Sequence, residues 1–360
     1  MALFKSNSRR IVRATATRHT QTKYGYRAHG KTSMRHVIYG VASLLVLGGV
    51  IATLKSTFAA TPSEPSYRVM IQVSSLSPSV STTQLKSYLE DIRLKHRNTN
   101  KPAYINRVVL QDIADKNGNL YKPYLDVIAP YLPGGATPAF DQAYVGTVDL
   151  AWTGAGSKYI EGIEDAGFRA TNVNTSKIAA AAFRKAYPKN VYDWYVTYEA
   201  NLAGFWDKKI ESAYLTYMNT LIPELNKIYP RGNVLWSPAF WTTLANEPAW
   251  ALPDLKTNLG DLFTNVKPAL TLDLQDFVGQ SNGVTKKEDA VAWINYLKQN
   301  FPGKFNRLEL NAEQFKQVNG VISVGDSVEV PSRMAYYKTQ GVGVGPSWEI
   351  RYWHKRLYGN

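Results

Sequence analysis

The sequence predicts an α/β fold, a (β/α)8 barrel preceded by a basic cytoplasmic tail and one N-terminal transmembrane helix. Strand-like runs and helical stretches alternate after about residue 67, which predicts a parallel sheet, and eight repeats favour a closed barrel. The chain has 360 residues, enough for one barrel of about 250 residues and a tail. An uncharged apolar run, Val37–Leu54, precedes the alternating region.

The strand-like runs are short segments rich in apolar, β-branched and aromatic residues. They are Arg68–Val73, Ile105–Asp112, Ala143–Leu150, Tyr192–Glu199, Val234–Phe240, Leu270–Asp276, Arg307–Glu313 and Ala335–Val344. Helices are predicted at Thr82–Lys95, Lys158–Ala166, Ser176–Tyr187, Lys208–Ile228 and Lys287–Asn300. Thr82 and Ser176 are suitable helix starts, and Pro230 ends the helix before it. The stretch Leu120–Phe140 is either an irregular loop or a poor second helix.

The run at residues 37–54 predicts a transmembrane signal anchor that uses the lipid bilayer as a partner. Its 18 residues span roughly 27 Å as a helix, just enough for a bilayer core of about 30 Å. Basic residues crowd its N-terminal side, so residues 1–36 are predicted to be cytoplasmic, while the linker 55–66 and the barrel 67–360 lie outside a cell membrane crossed once. The alternative is secretion after signal cleavage near Ala59 or Ala60.

Charge and composition exclude several functional classes. Of the formal net charge of +14, the first 55 residues carry ten basic side chains and no acid, leaving 32 basic against 28 acidic residues. The folded domain is therefore only mildly basic, and no nucleic-acid partner is expected for it. The absence of cysteine excludes disulfides and thiolate chemistry. Only His96 and His354 follow the tail, too few for a three-histidine zinc site, and no metal or cofactor is expected.

Two glutamates end predicted strands and are the candidate catalytic residues. Glu199 ends the fourth run, in VYDWYVTYEAN, and Glu313 ends the seventh, in NRLELNAEQF. Because the carboxyl ends of barrel strands converge on one face, the two side chains are expected in one pocket, and paired carboxylates are what glycosidic hydrolysis requires. The aromatic setting of Glu199 suits a proton donor, and Glu313 suits a nucleophile. Glu309 shares the strand face of Glu313 and competes for its role.

Further residues near strand ends are predicted to bind substrate. The acids and amides are expected to bind sugar hydroxyls, and the aromatic rings to stack on the C–H faces of sugars. They are Asp276, Gln275, Asn201, Asp149, Trp241, Trp348 and Tyr198.

The segments YEAN, SPAFW, LQDFVG and LNAEQF, in that order and spacing, resemble an uncharacterised family of barrel proteins grouped with glycoside hydrolases. The resemblance covers roughly Arg68–Trp353. A glutamate after the fourth strand and another after the seventh are also similar to the large clan of retaining glycosidases. That resemblance implies Glu199 as acid/base, Glu313 as nucleophile and a retaining outcome. The clan usually has Asn directly before the acid/base glutamate, where this chain has Tyr198.

The expected function is that of a membrane-anchored, extracytoplasmic glycoside hydrolase acting on a polysaccharide or oligosaccharide. The alternatives are a non-catalytic glycan-binding barrel at the cell surface and a structural or partner-binding ectodomain. A carboxyl separation of about 5 Å is typical of a retaining enzyme, and one of roughly 6.5 to 9.5 Å of an inverting enzyme.

Overall fold

The computed structural model describes residues 67–96, 105–150, 161–240, 243–247, 249–280, 284–319 and 321–358. The predicted tail, anchor and linker, residues 1–66, lie outside the described residues. Within the described ranges, no helix has both the length and the apolar character needed to cross a bilayer. The membrane anchor at residues 37–54 therefore stays a prediction.

A parallel sheet forms the centre of the described part of the chain. Its first six strands each pair in parallel with the next strand along the chain. In chain order the strands are β1 (Tyr67–Gln72), β2 (Ile105–Gln111), β3 (Gln142–Gly146), β4 (Asp193–Val196), β5 (Val234–Trp236), β6 (Leu270–Gln275), β7 (Phe305–Asn311), β8 (Phe315–Val318), β9 (Val321–Val324), β10 (Gly343–Val344) and β11 (Pro346–Trp348). Strands β8 and β9 form a separate antiparallel hairpin.

The last two strands close the sheet into a nearly complete barrel. Strand β10 pairs in parallel with β7, whereas β11 pairs in parallel with β1. Gly345 lies between them and donates its N–H to the carbonyl of Leu310 at 2.7 Å. The segment from Gly343 to Trp348 thus serves as the eighth barrel strand, split in two. The predicted α/β barrel class is confirmed at this level.

The predicted eighth strand, Ala335–Val344, is wrong over most of its length. Residues Glu329–Thr339 form a helix, and the strand begins only at Gly343. The buried positions of this helix are Val330, Arg333, Met334 and Tyr337. Their spacing of three and four residues is that of a helix face rather than of an alternating strand.

Helices surround the sheet and follow most of its strands. They are α1 (Thr82–Asp91), α2 (Lys122–Ile128), α3 (Glu161–Glu164), α4 (Ala166–Ala186), α5 (Lys208–Ile228), α6 (Ala251–Asn265), α7 (Lys287–Asn300), α8 (Glu329–Thr339) and α9 (Ile350–Tyr358). The predicted boundaries of α5 and α7 are confirmed. Helix α4 begins earlier than predicted because the Asp165 side chain accepts the N–H groups of Gly167 and Phe168.

The apolar residues form two layers. A large cluster fills the space between the strands and the helices. A small one, made of Met70, Val109, Tyr144, Tyr195 and Leu235, lies inside the barrel. Because successive side chains of a strand point to opposite faces, each of the strands β1 to β5 supplies residues to both layers. Polar residues at the strand ends are left to form the site described next.

Candidate active site

A cavity of about 460 Å³ opens at the carboxyl end of the barrel strands. Strand ends, the loops after them, the β8–β9 hairpin and helix α9 form its wall. It is lined by Met70, Gln72, Ser75, Gln111, Glu199, Ala200, Ala239, Gln275, Gln280, Asn311, Glu313, Phe315, Ile322, Trp348, Arg351 and Tyr352. The two glutamates singled out by their strand-end positions therefore line one cavity. We call it the strand-end cavity.

Glu199 follows β4 and is held between two amide side chains. Gln111 donates Nε2–H to Glu199 Oε1 at 3.1 Å, and the side chain of Gln275 also donates to this carboxyl group. Burial raises the pKa of Glu199 to about 7, because the ionised form loses solvation; the two amides act in the opposite direction, and the Asp112 carboxylate raises it further. Tyr214 fixes the backbone by donating its hydroxyl to the Glu199 carbonyl at 2.6 Å.

Glu313 follows β7 and is only 2% exposed. Its Oε2 accepts the main-chain N–H of Gln280 at 2.8 Å, and the Gly279 N–H also donates to the carboxyl group. Burial raises the pKa of Glu313 to about 8; the Asp276 carboxylate raises it further and the Arg333 guanidinium lowers it. The pKa values of both candidate carboxyl groups therefore lie near neutrality.

Asp276 lies beside Glu313 and does not line the cavity. It is completely buried: Oδ1 accepts the main-chain N–H of Glu313 at 3.3 Å, and Oδ2 accepts the Tyr337 hydroxyl at 2.9 Å. Arg333 Nη1 lies 3.1 Å from Asp276 Oδ2, and its Nη2 donates to the Glu313 carbonyl at 2.5 Å. The structure thus places Asp276 where it positions Glu313, not where a substrate-binding residue was predicted.

Glu309 is buried, and ion pairs occupy its carboxylate. Its carboxylate forms ion pairs with Arg107 at 3.0 Å, with Arg307 at 3.4 Å and with Arg68, and it does not line the cavity. Three guanidinium partners hold the charge of a residue that is 2% exposed. Of the two glutamates near the end of β7, Glu313 is therefore the one available for chemistry.

The other predicted binding residues lie in different places. Gln275 and Trp348 line the strand-end cavity. Asp149 and Tyr198 are buried at about 1% exposure or less and are absent from its lining. The Asn201 side chain accepts the Ala203 N–H at 3.2 Å, which caps the short 3-10 helix that follows. The remaining predicted residue, Trp241, lies outside the described residues.

Sequence reasoning missed most of the amide side chains in the cavity. Gln72, Gln111 and Asn311 are the last residues of β1, β2 and β7, as Gln275 is of β6. A single amide that ends an apolar strand is the signal that was overlooked. Together these amides offer neutral hydrogen-bond donors and acceptors around Glu199 and Glu313.

An aromatic cluster also lines the cavity. The ring of Phe315 is 4.8 Å from that of Trp348, whose ring is 5.5 Å from Tyr352. Trp348 was predicted, whereas Phe315 was quoted only as part of a motif. A lining with both apolar rings and amides suits a ligand with both C–H faces and hydroxyl groups.

Comparison with known proteins supports the fold and no more. No family model matches the chain, and no curated protein matches it. Among solved structures, it is similar to a proposed α-L-fucosidase from Bacteroides thetaiotaomicron, with a TM-score of 0.57, 12% identity, and coverage of 78% of this chain and 86% of that one. A family GH18 chitinase from Cycas revoluta matches with a TM-score of 0.47, 12% identity, and coverage of 81% and 97%.

The fold and the cavity define the class of protein: a parallel barrel with paired acids at the carboxyl ends of its strands. The similarity to the proposed α-L-fucosidase is a similarity of fold.

Proposed function

We propose that this protein is a glycoside hydrolase that cleaves a polysaccharide or oligosaccharide with Glu199 and Glu313. The observation that carries the proposal is that glutamates following two separate strands line one cavity and have pKa values raised to about 7 and about 8. Glycosidic hydrolysis requires two carboxyl groups, and these two can each gain or lose a proton near neutral pH. The predicted anchor rests on the uncharged run at residues 37–54, and the predicted extracytoplasmic location rests on the basic residues before it.

The proposed roles are Glu199 as acid/base and Glu313 as nucleophile. A pKa of about 7 allows Glu199 to hold a proton and give it to the leaving oxygen near neutral pH. Two main-chain N–H groups and the Arg333 guanidinium stabilise an anionic Glu313. The Glu313 carboxylate forms a bond to the anomeric carbon as the glycosidic C–O bond breaks. Water, deprotonated by Glu199, then attacks that carbon and releases Glu313.

One observation opposes this division of roles. The pKa of Glu313, about 8, is higher than that of Glu199, about 7, although a nucleophile must be ionised. Besides burial, the pKa of Glu199 responds to Gln275, Gln111 and Asp112, whereas that of Glu313 responds to Asp276 and Arg333. The experiment must therefore distinguish this assignment from the reversed one, in which Glu313 is the proton donor.

The cavity walls support a carbohydrate substrate. The strand-end amides Gln72, Gln111 and Gln275 suit sugar hydroxyls, and the rings of Trp348 and Tyr352 suit the apolar C–H face of a sugar ring. A cavity of about 460 Å³ lies within the usual range of ligand sites, roughly 300 to 1,000 Å³.

The test is hydrolysis by the full chain of aryl glycosides and of a panel of polysaccharides, beside Glu199→Gln and Glu313→Gln. We expect each variant to lose about 10³-fold or more in kcat/KM on polysaccharide, because each removes a group that acts in the transition state. Glu329→Gln, at an acid that is half exposed, is the matched control and should retain activity. The variants are compared at equal thermal stability.

Azide separates the two roles. On an activated aryl glycoside, azide should rescue Glu313→Gln by forming a glycosyl azide of inverted configuration, and Glu199→Gln by forming one of retained configuration. The opposite pattern would reverse the roles. A wild-type chain that binds glycan but cleaves none would establish the non-catalytic binding barrel instead, and a chain that does neither would refute the proposal.

A further inference from the structure

A second concave surface lies between the start of α5 and one side of α6. Trp206 and Trp250 form it, with ring centroids 5.4 Å apart and ring planes at 80° to each other. Their side chains are 42% and 65% exposed, and the space beside them is about 520 Å³. Two adjacent exposed indoles are costly to leave in water unless something covers them. We call this surface the Trp206–Trp250 groove.

The groove is held in shape by buried hydrogen bonds beneath it. Asn258 of α6 is 5% exposed and donates Nδ2–H to the carbonyls of Phe205 and Trp206 at 2.9 and 3.1 Å. Asp207 caps α5 by accepting the Lys209 N–H at 2.8 Å. Trp206 is thus fixed between two helices, which reduces the entropy that a ligand must overcome to order it.

The groove and the strand-end cavity share the same two loops. Ala200 and Ala239 line the cavity and are joined by a hydrogen bond from Ala239 N to the Ala200 carbonyl at 2.7 Å. The next residue but one, Leu202, donates to the Ala239 carbonyl at 2.9 Å and begins the 3-10 helix that ends at Trp206. Trp250 lies in the connection from β5 to α6, directly before α6 begins at Ala251. Both indoles therefore lie on loops that leave the carboxyl end of the barrel, where the candidate carboxyl groups lie.

The charges around the groove restrict its ligand. Three carboxylates, those of Asp207, Asp254 and Asp261, line it together with one ammonium group, that of Lys208. Lys208 is already paired with Asp261 at 2.7 Å and with Glu211 at 2.9 Å. The local excess of negative charge repels polyanions, whereas carboxylates accept hydrogen bonds from sugar hydroxyls and N-acetyl N–H groups.

We propose that the Trp206–Trp250 groove is an accessory binding site for an uncharged sugar chain, neutral or N-acetylated, outside the strand-end cavity. The inference rests on the proposed function in that it takes the substrate to be a glycan. The indoles would stack on the C–H faces of sugar rings several units away from the bond being cleaved. A polymer held at both places would bind better than a short fragment, because the second contact is intramolecular.

The test is native affinity electrophoresis of the full chain in gels containing hydroxyethylcellulose, mixed-linkage β-glucan or glycol chitin. We expect retardation by at least one of them. Trp206→Ala and Trp250→Ala should each weaken the apparent affinity about tenfold, corresponding to about 1.4 kcal/mol. The double alanine variant should migrate as if no polysaccharide were present, and the double phenylalanine variant should keep part of the retardation. Val191→Ala, an exposed position before β4, is the control.

Two further measurements make the result specific. Polygalacturonate attracts the basic residues of the tail, so any retardation by it should be unchanged in the tryptophan variants. Hydrolysis of a short aryl glycoside should stay within about twofold in those variants, because the groove contacts only longer chains. Retardation that persists in the double alanine variant, or no retardation by any uncharged polysaccharide, would overturn the inference. Retardation that depends on the indoles, without hydrolysis of any substrate, would retain the groove and refute the proposed catalysis.

Discussion

Asp276 shows how a buried residue sets the chemistry of its neighbour. It contacts the Glu313 backbone, the Tyr337 hydroxyl and the Arg333 guanidinium, yet it does not reach the strand-end cavity. The negative charge of Asp276 raises the pKa of Glu313, whereas the positive charge of Arg333 lowers it. The ionisation of Glu313 therefore depends on the balance between two neighbouring opposite charges.

Replacing Asp276 by Asn should lower the pKa of Glu313 below its value of about 8. The change removes a negative charge and leaves the positive charge of Arg333 uncompensated, and both effects favour the carboxylate. Asn keeps an acceptor for the Glu313 N–H. In a plot of kcat/KM against pH, the limb that reflects ionisation of Glu313 should move to lower pH by about one unit or more.

The matched control is Glu329→Gln, which alters the exposed partner of Arg333 and should leave that limb in place. A limb that is unchanged in Asp276→Asn, or that moves to higher pH, would show that Asp276 has no such influence.

The sequence predicted part of the candidate site. Glu199 and Glu313 were found because each follows a strand-like run, and strand ends converge in a barrel. Glu309 could not be separated from Glu313 by spacing alone, since its partners Arg68 and Arg107 lie on β1 and β2. Arg333 was missed because the helix that carries it was not predicted; the strand predicted at Ala335–Val344 overlaps only the end of that helix.

The loop after β6 contacts the β8–β9 hairpin at Gly279, where the two backbones touch without a side chain between them. A Cβ atom at Gly279 would lie 2.2 Å from the carbonyl oxygen of Phe315 and 2.9 Å from Glu313 Oε2. The Gly279 carbonyl also accepts the Gln317 N–H at 2.7 Å. The structure requires glycine at this position because the two backbones approach closely.

Gly279→Ala should therefore reduce the free energy of unfolding by about 1–3 kcal/mol. It should lower activity as well, because the loop can relieve the clash only by moving the N–H groups that bind Glu313. Urea unfolding of the full chain measures the first effect, and kcat/KM the second.

Gly260→Ala is the comparison within the same protein. Gly260 lies in α6, where a Cβ atom would make an ordinary contact 3.5 Å from a ring carbon of Phe301. Alanine should stabilise that helix by about 0.5–1 kcal/mol. Equal stability of the two variants would contradict the proposed packing requirement at Gly279.

Prediction of the elements succeeded where local signals were strong. Helices α5 and α7 have clear ends and long amphipathic patterns. Helix α6 was missed because Pro253 and Gly260 disfavour a helix locally, although Pro253 lies in the first turn, where proline is tolerated. Helix α4 extends ten residues further towards the N-terminus than predicted because Asp165 caps it.

For the molecule as a whole, acids with raised pKa values are concentrated at the carboxyl end of the barrel. Burial raises the pKa values of Asp112, Glu199 and Glu313 to about 6, 7 and 8. Unfolding returns each group to a lower pKa. The folded protein therefore binds more protons than the unfolded chain at neutral pH, and these groups stabilise the fold most fully below pH 4.

The free energy of unfolding should consequently fall as the pH rises from 7 to 9. Within this window Glu313 and Glu199 lose protons in the folded state, whereas they are already ionised in the unfolded chain. His354, whose pKa burial lowers, contributes the opposite slope, but below pH 7. Urea unfolding of the full chain at several pH values in this window measures the slope.

Glu313→Gln should show a shallower decline over the same range, since it removes the group with the highest of these carboxyl pKa values. Stability that rises between pH 7 and 9 in the wild-type chain, or an unchanged slope in the variant, would contradict the raised pKa of Glu313.

The split eighth strand has a consequence for biosynthesis. Because Gly343–Val344 pairs with β7 and Pro346–Trp348 pairs with β1, the ring is unfinished until residue 348 has been made. Until then two parallel strands present unsatisfied backbone groups to any other extended peptide, including a second nascent copy. A chain that ends prematurely before this segment therefore retains two open edges and a built-in route to aggregation.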